Sequence, residues 1–346
     1  ICLVRLSAIG DTCHALSVVR RIQDAWPQSK LTWIIGKTEA SLLADIPDVD
    51  FIIFDKSKGR EAYKAVRMAL AGRSFDVVLC MHASLRINLL YRSIRSPVRL
   101  GFDRQRARDF QWLFTNRRIE ARSGQHALEA MMSFADTIGV PPQAIRWSIP
   151  LDHDARAFAT PFLDPDKPLV LISPCSSNRS RNFRNWPVGH YQEVVRHLLK
   201  TGCRIIISGG TSELEKSYGD ALSRDARVDN LVGTTSLKQL AALIDAANLV
   251  ICPDSGPAHI ATAFATPVLG LYATTNPARS GPYLSRELTV NRYPDAAVKY
   301  LGKPAEKLRW GRRVRHPDAM QLITVDDVTS RIDAFFDANA AAETQS

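Results

Sequence analysis

Three segments in the second half of the chain end an apolar run in residues suited to a charged, phosphorylated ligand. In "CPDSGPAHIATAFATPVLGLY" (252–272) the run exits at Pro253 into Asp254, Ser255 and Gly256, and His259 follows one turn on. Asp254 and Ser255 can cap the helix that starts there, and Gly256 lets a ligand approach the backbone. In "SPCSSNRSRNFRNWP" (173–187) the hydroxyls of Ser176 and Ser177 precede Arg179, Arg181 and Arg184. Hydroxyls, backbone N–H groups and guanidinium forks are equipment for holding a diphosphate. In "ISGGTSELEKSYGD" (207–220) Gly209 and Gly210 close a run, and Glu213 or Glu215 follows. An acid there can accept from ribose hydroxyls. Together the three segments imply a nucleotide-diphosphate ligand. A P-loop motif is absent, and the first strand–helix turn has a single Gly, so no dinucleotide fingerprint is present.

A fourth segment, "RLSAIGDTCHAL" (5–16), places Asp11 just after Gly10 where a helix should begin. A helix start attracts anions, so a carboxylate in that place argues against a phosphate site. Facing a diphosphate ligand across a cleft, Asp11 could instead take a proton from an attacking hydroxyl. His14, three residues on, shares its helix face; it either orients Asp11, touches ligand, or is a satisfied helix histidine.

The elements that must position these residues alternate. "ICLVRL", "LTWIIG", "VDFIIFD" and "FDVVLCMH" read as strands buried on both faces, with helices between them over 11–26, 38–46 and 59–72. A second alternation starts at "LVLISP" and continues through "CRIIISGG", "NLVICPD" and "PVLGLY", with Ser236 as a helix cap. The fold class is α/β, two doubly wound parallel-sheet halves. Residues 1–155 form the first domain, 156–325 the second and 326–346 a C-terminal helix; the boundary falls in the Pro- and Asp-rich stretch 150–168.

The 346 residues carry a formal net charge of +10, which suits an anionic partner. Ten arginines crowd residues 86–122, and Arg86 and Arg104 in that cluster, with Arg5 and His14, are candidate contacts for such a partner. The same charge suits peripheral attachment to an anionic leaflet. No nucleic-acid-binding motif accompanies it. The six cysteines form no C-x-x-C pair and lie mostly in apolar runs, as expected of buried reduced thiols in the cytoplasm. The triplets Asp48-Val49-Asp50, Asp152-His153-Asp154 and Asp164-Pro165-Asp166 read as turn and cap chemistry, and no metal site is expected. The chain opens at Ile1, already inside a strand and without Met, so a residue or two is expected to precede it.

"LVRLSAIGDTCHAL", "SPCSS…FRNWP" and "PDSGPAHIATAFATPVLGLYATTNPARSGPY" occur in the order, and with the spread over the chain, that resembles the lipopolysaccharide core heptosyltransferases of glycosyltransferase family 9. The resemblance implies a GT-B fold of two Rossmann-like domains facing a cleft, with the C-terminal helix returning to the first. It implies inverting transfer of L-glycero-D-manno-heptose from ADP-heptose to the Kdo region of an anionic lipid A acceptor. The donor is a substrate, and no cofactor or metal is implied. The family's catalytic aspartate falls on Asp11. Its donor-binding positions fall on Ser176, Ser177, Arg184, Asp254, Ser255, Gly256 and His259, and its ribose acid on Glu213, with Glu215 the competitor. Arg179 and Arg181, in a longer loop than the shortest family versions have, would share the work of Arg184. The Arg-rich middle leans toward the first core transfer, onto Kdo. The rival readings are a nucleotide-sugar 2-epimerase on the same fold and a basic nucleic-acid binder. The transferase reading places the enzyme in the cytoplasm, peripheral to the inner membrane, with Arg5, His14, Arg86 and Arg104 as acceptor contacts.

Overall fold

Strands covered by helices on both faces need apolar side chains at successive positions, and these have them. Leu31–Gly36, Leu169–Ile172, Leu249–Pro253 and Val268–Tyr272 are buried along their whole length. The computed structural model describes residues 1–176 and 182–343. It divides into two units, Ile1–Pro150 and Leu151–Ser346.

In the first unit the strands are β1 Cys2–Val4, β2 Leu31–Gly36, β3 Val49–Phe54, β4 Val77–Leu79, β5 Val98–Gly101 and β6 Arg117–Arg118. The helices are α1 Ile9–Ala25, α2 Lys37–Leu43, α3 Arg60–Ala69, α4 Leu85–Leu90 and α5 Ala127–Thr137. Among the described residues the sheet runs β3-β2-β1-β4-β5-β6, all parallel, with Val4 beside Ile34 and Leu3 beside Leu79.

The second unit repeats the plan with β7 Leu169–Ile172, β8 Arg204–Ile207, β9 Val228–Asn230, β10 Leu249–Pro253, β11 Val268–Tyr272 and β12 Val290–Asn291. Its helices are α6 His153–Ala159, α7 Val188–Lys200, α8 Glu213–Leu222, α9 Leu237–Ala246, α10 Gly256–Ala263, α11 Pro277–Ser280, α12 Tyr293–Leu301 and α13 Val325–Glu343. The order β12-β11-β10-β7-β8-β9 is the first sheet's order read from the other edge. Both sheets therefore reverse direction at one place, between β1 and β4 and between β7 and β10. In open α/β sheets that crevice, at the strands' carboxyl ends, is where ligands bind.

The first division ends at Pro150, against an expected boundary at 155. The stretch read as a linker contains α6, because Asp152 accepts from Ala155 N at 2.7 Å and starts a helix. Asp164 likewise closes a turn on Asp166 N at 3.0 Å. The Arg-rich segment holds most of α4, and β5 and β6. The terminal α13 starts on a reciprocal Thr324–Asp327 cap. Its Val328 and Ile332 belong to the second unit's core, beside Trp186 and Tyr191. All six cysteines are free and buried, and burial pushes the thiols of Cys2, Cys13, Cys175 and Cys252 up to about 12. No helix among the described residues is long and apolar enough to cross a membrane.

Candidate active site

In the first unit, the turn after β1 carries Arg5 and the turn after β4 carries Met81 and His82, so the crevice brings them together. Arg5 Nη1 donates to the Met81 carbonyl at 2.6 Å, and its Nη2 pairs with Asp11 Oδ2 in the first turn of α1. The exposures decide what this pair can do. The arginine side chain is 12% exposed and the aspartate 40%, so the acid is tethered yet still reachable from solvent. A guanidinium held on both Met81 and Asp11 positions the carboxylate, a role the reading of Arg5 as an acceptor contact did not include.

His82 was not singled out in the sequence, although "FDVVLCMH" ends on it. Leu6 N donates toward its Nδ1 at 3.4 Å, and the Tyr91 hydroxyl donates to its carbonyl at 2.5 Å. Burial first, and the Arg5 cation second, lower its pKa from 6.5 to about 4, with Asp11 opposing. The ring is therefore neutral at physiological pH. His14 is buried to 3% and meets the His126 ring edge-on at 5.7 Å, where α1 packs on α5. His126 caps α5 by accepting from Leu128 N. With so little surface, His14 packs at this helix–helix contact. Arg86 and Arg104 are exposed, as acceptor contacts would need to be. Arg106, by contrast, is tied to Asp103, Gln125 and the Glu120 carbonyl and holds the loop.

The second unit's crevice is built from the loop after β7 and the turn after β10. Arg184 Nη1 donates to the Asp254 carbonyl at 2.8 Å and lies 3.6 Å from its carboxylate, with both side chains largely buried. Arg184 Nε and N also donate to Asn182 Oδ1, each at 3.2 Å. Asn182 and Asn185 then hold Ser176: Asn185 Oδ1 accepts from Ser176 N at 2.9 Å, and Asn182 Nδ2 donates to Ser176 Oγ at 2.7 Å. The two asparagines are functional candidates the sequence reading passed over. Both stand inside the quoted segment, where attention went to hydroxyls and cations. Ser177, Arg179 and Arg181 lie outside the described residues.

Trp186, fully buried, donates its Nε1 to the Ile323 carbonyl at 3.0 Å and so anchors this loop to the core. Asp254, Ser255 and His259 are buried at the end of β10 and the start of α10, and Gly256 opens that helix half-exposed. Ser255 makes no side-chain cap. Ser208 Oγ after β8, Ser255 Oγ after β10 and Thr275 Oγ1 after β11 are buried without a conventional partner among the described residues, save the Cys252 thiol beside Ser255. Buried hydroxyls left so at three strand ends of one sheet, two of them adjacent, suit a polar ligand that completes them.

The two acids after Gly210 separate clearly. Glu213 is 90% exposed and pairs with Lys216 at 2.9 Å, one turn along α8. Glu215 folds back, accepting from Gly210 N at 2.7 Å and from Ser212 Oγ at 2.6 Å. A Cβ on Gly210 would lie 3.0 Å from Glu215 Oε2, so a side chain there would press on this carboxylate. Glu213 thus points its carboxylate to solvent, and Glu215, its competitor for the ribose, is the acid folded onto the strand end. No group of three His, Cys, Asp or Glu among the described residues could hold a metal ion.

The model for glycosyltransferase family 9 (heptosyltransferase) matches residues 63–309. The chain belongs to glycosyltransferase family 9. A lipopolysaccharide core heptosyltransferase of Haemophilus influenzae, OpsX, is 38% identical over 334 residues, 96% of this chain and 95% of the relative. Lipopolysaccharide heptosyltransferase 1 of Escherichia coli K12 is 26% identical over 298 residues, 81% of this chain and 90% of the relative. Among solved structures, E. coli heptosyltransferase WaaC with ADP has a TM-score of 0.74 at 23% identity, covering 96% of this chain and 99% of that one. That last likeness is one of fold, the GT-B arrangement of two Rossmann-type sheets. The family-9 match begins after Asp11, so the role of this residue rests on its chemistry and surroundings.

Proposed function

We propose that this glycosyltransferase moves L-glycero-D-manno-heptose from ADP-heptose to the Kdo region of lipopolysaccharide with inversion. The observation that carries the reading is the Arg184–Asp254 pair beside the Ser176–Asn182–Asn185 network, at the crevice where a diphosphate is expected. The near-full-length likeness to a lipopolysaccharide core heptosyltransferase supports it.

The acceptor hydroxyl oxygen attacks the anomeric carbon and forms the new glycosidic bond. The bond from that carbon to the diphosphate oxygen breaks, and ADP leaves with the electron pair. Asp11 takes the hydroxyl proton. The transition state resembles an oxocarbenium ion, as in glycoside hydrolysis. Charge growing on ADP is met by Arg184, the Ser176 hydroxyl and the N-terminal N–H groups of α10. The reaction so drawn uses no metal, and a chelator should leave its rate unchanged. The exposed arginines of residues 86–122 meet the phosphates and carboxylates of the acceptor at the cytoplasmic leaflet.

The test pairs ADP-heptose with Kdo-lipid A and with its heptosylated product, alongside ADP and UDP titrations. The reading expects transfer to Kdo-lipid A and preference for ADP. Consumption of a UDP-sugar without acceptor would replace it with the epimerase reading, and tight salt-dependent DNA binding without ADP affinity would replace it with the nucleic-acid reading.

A further inference from the structure

We propose that Leu85, Leu89, Phe110, Trp112 and Leu113 form one apolar tip of the first unit that inserts into the interfacial layer of an anionic lipid leaflet. The inference deepens the reading of a lipid-borne acceptor and rests on it. These side chains are 50%, 48%, 60%, 52% and 58% exposed, an unusual concentration of large apolar groups on a water-facing surface.

The tip is held in shape from beneath. Leu85 and Leu89 stand one turn apart on α4, whose Ile87, Leu90 and following Tyr91 supply the core. Asn88, fully buried, donates to the Asp109 carbonyl at 2.7 Å, and Leu85 N donates to Asp109 Oδ2 at 3.2 Å. These bonds tie α4 to the turn 108–113. Gln111, also fully buried, donates to the Cys80 carbonyl at 2.8 Å and accepts from Phe102 N at 3.1 Å. Its anchoring leaves Phe110 on one side and Trp112 and Leu113 on the other pointing outward. Asp109 and Phe110 adopt left-handed backbone, φ 51° and 60°, which non-glycine residues rarely adopt. The fold thus accepts backbone strain where it displays an aromatic ring to solvent.

Charge decides the occupant. Residues 85–114 contain seven arginines and two acids. One acid, Asp103, is buried on Arg106, and the other, Asp109, accepts from Leu85 N. Arg86, Arg92, Arg104 and Arg108 are exposed on the same segments as the apolar tip, and Arg92 lies 5.3 Å over the Phe114 ring. A second copy docked on the same face would set guanidinium against guanidinium. An anionic leaflet takes both parts at once, apolar side chains among the acyl-chain ends and guanidinium groups among the phosphates.

The experiment uses the full chain with vesicles of phosphatidylethanolamine and phosphatidylglycerol, and with phosphatidylcholine vesicles as the uncharged control. The expected results are cosedimentation with the anionic vesicles, a blue shift of tryptophan emission, and quenching by brominated acyl chains. Trp112→Phe should bind but lose the quenched component. Trp112→Ser/Leu113→Ser and, separately, Leu85→Ser/Leu89→Ser should lower vesicle partitioning about tenfold or more. Met68→Ser, at an exposed apolar residue on α3, should not change it. The Trp112→Ser/Leu113→Ser variant should transfer heptose to a water-soluble deacylated acceptor at the wild-type rate. Both double variants binding like wild type, absence of bromolipid quenching, or a solution dimer that Trp112→Ser/Leu113→Ser dissociates would each overturn the proposal. Failure of wild-type transfer to the soluble acceptor would count against the proposed reaction, and the vesicle data would still judge the tip.

Discussion

Asp11→Asn separates proton acceptance from architecture. Asparagine keeps the size of the side chain and one acceptor oxygen, so Arg5 Nη2 retains a hydrogen bond while Nη1 stays on the Met81 carbonyl at 2.6 Å. The charge is removed, and one carboxylate oxygen becomes an NH2 group that cannot take a proton. Because the aspartate side chain is 40% exposed, the charge contributes about 0–1 kcal/mol to stability. Removing a general base lowers the rate by about 10²–10⁴. At 1.36 kcal/mol per decade that is about 3–5 kcal/mol of transition-state stabilisation, several times the stability change. ADP affinity should stay put, because Arg184, Asp254 and Ser176 belong to the other unit. The measurements are initial transfer rates at saturating donor, urea unfolding, and an ADP titration. Arg5→Lys supplies a second arm: it keeps the cation but loses the fork that holds Met81 and Asp11 together. It should lower kcat about tenfold with the donor KM unchanged, as expected of a positioning residue. A transfer rate for Asp11→Asn within about threefold of wild type would refute the assignment. So would a loss of ADP affinity matching the loss of rate.

Arg184→Met leaves the buried Asp254 without its cation and removes donors to Asn182 and the Asp254 carbonyl; ADP affinity should fall about 10–100-fold by calorimetry, and unchanged affinity would move the diphosphate elsewhere. Glu213→Gln should leave ADP affinity and stability unaltered, whereas Glu215→Ala opens the Ser212 capping box and should cost about 1–2 kcal/mol in urea unfolding and weaken ADP binding; the reverse pattern would restore Glu213 as the ribose acid. His82 has a folded pKa lowered to about 4, against 6.5 unfolded, so the unfolded chain binds more protons between those values. Its contribution is complete above about pH 6.5 and is lost as pH falls toward 4, up to about 3 kcal/mol, and His82→Phe should flatten that part of the stability–pH curve.

Much of this was legible in the residues. The parallel strands were readable because burial on both faces demands unbroken apolar runs, and "LTWIIG" and "LVLI" are such runs. The Ser236 cap was readable because capping is local. The helix in the expected linker was not, since seven residues with one buried turn carry little periodicity. The edge strand β6 was hidden because it is two exposed arginines, Arg117 and Arg118, and its neighbour β5 because the half-buried Arg99 interrupts a four-residue run.

The sequence by itself determined the two-unit α/β plan, the family, and the candidate turns at strand ends, because each depends on local pattern or on short motifs. Tertiary structure alone decided the partners. Arg5 tethers Asp11 to Met81 because the β1 and β4 turns, some seventy-six residues apart in the chain, share one crevice. His82 enters the first unit's crevice for the same reason, and Asn182 and Asn185 enter the second unit's crevice by folding onto Ser176. Glu213 and Glu215 differ by two residues and fit the sequence argument equally. A helix turns them about 200° apart, so one faces Lys216 and water while the other closes on the Gly210 backbone. Distances through space, which charge and hydrogen bonding obey, are not written in the order of residues.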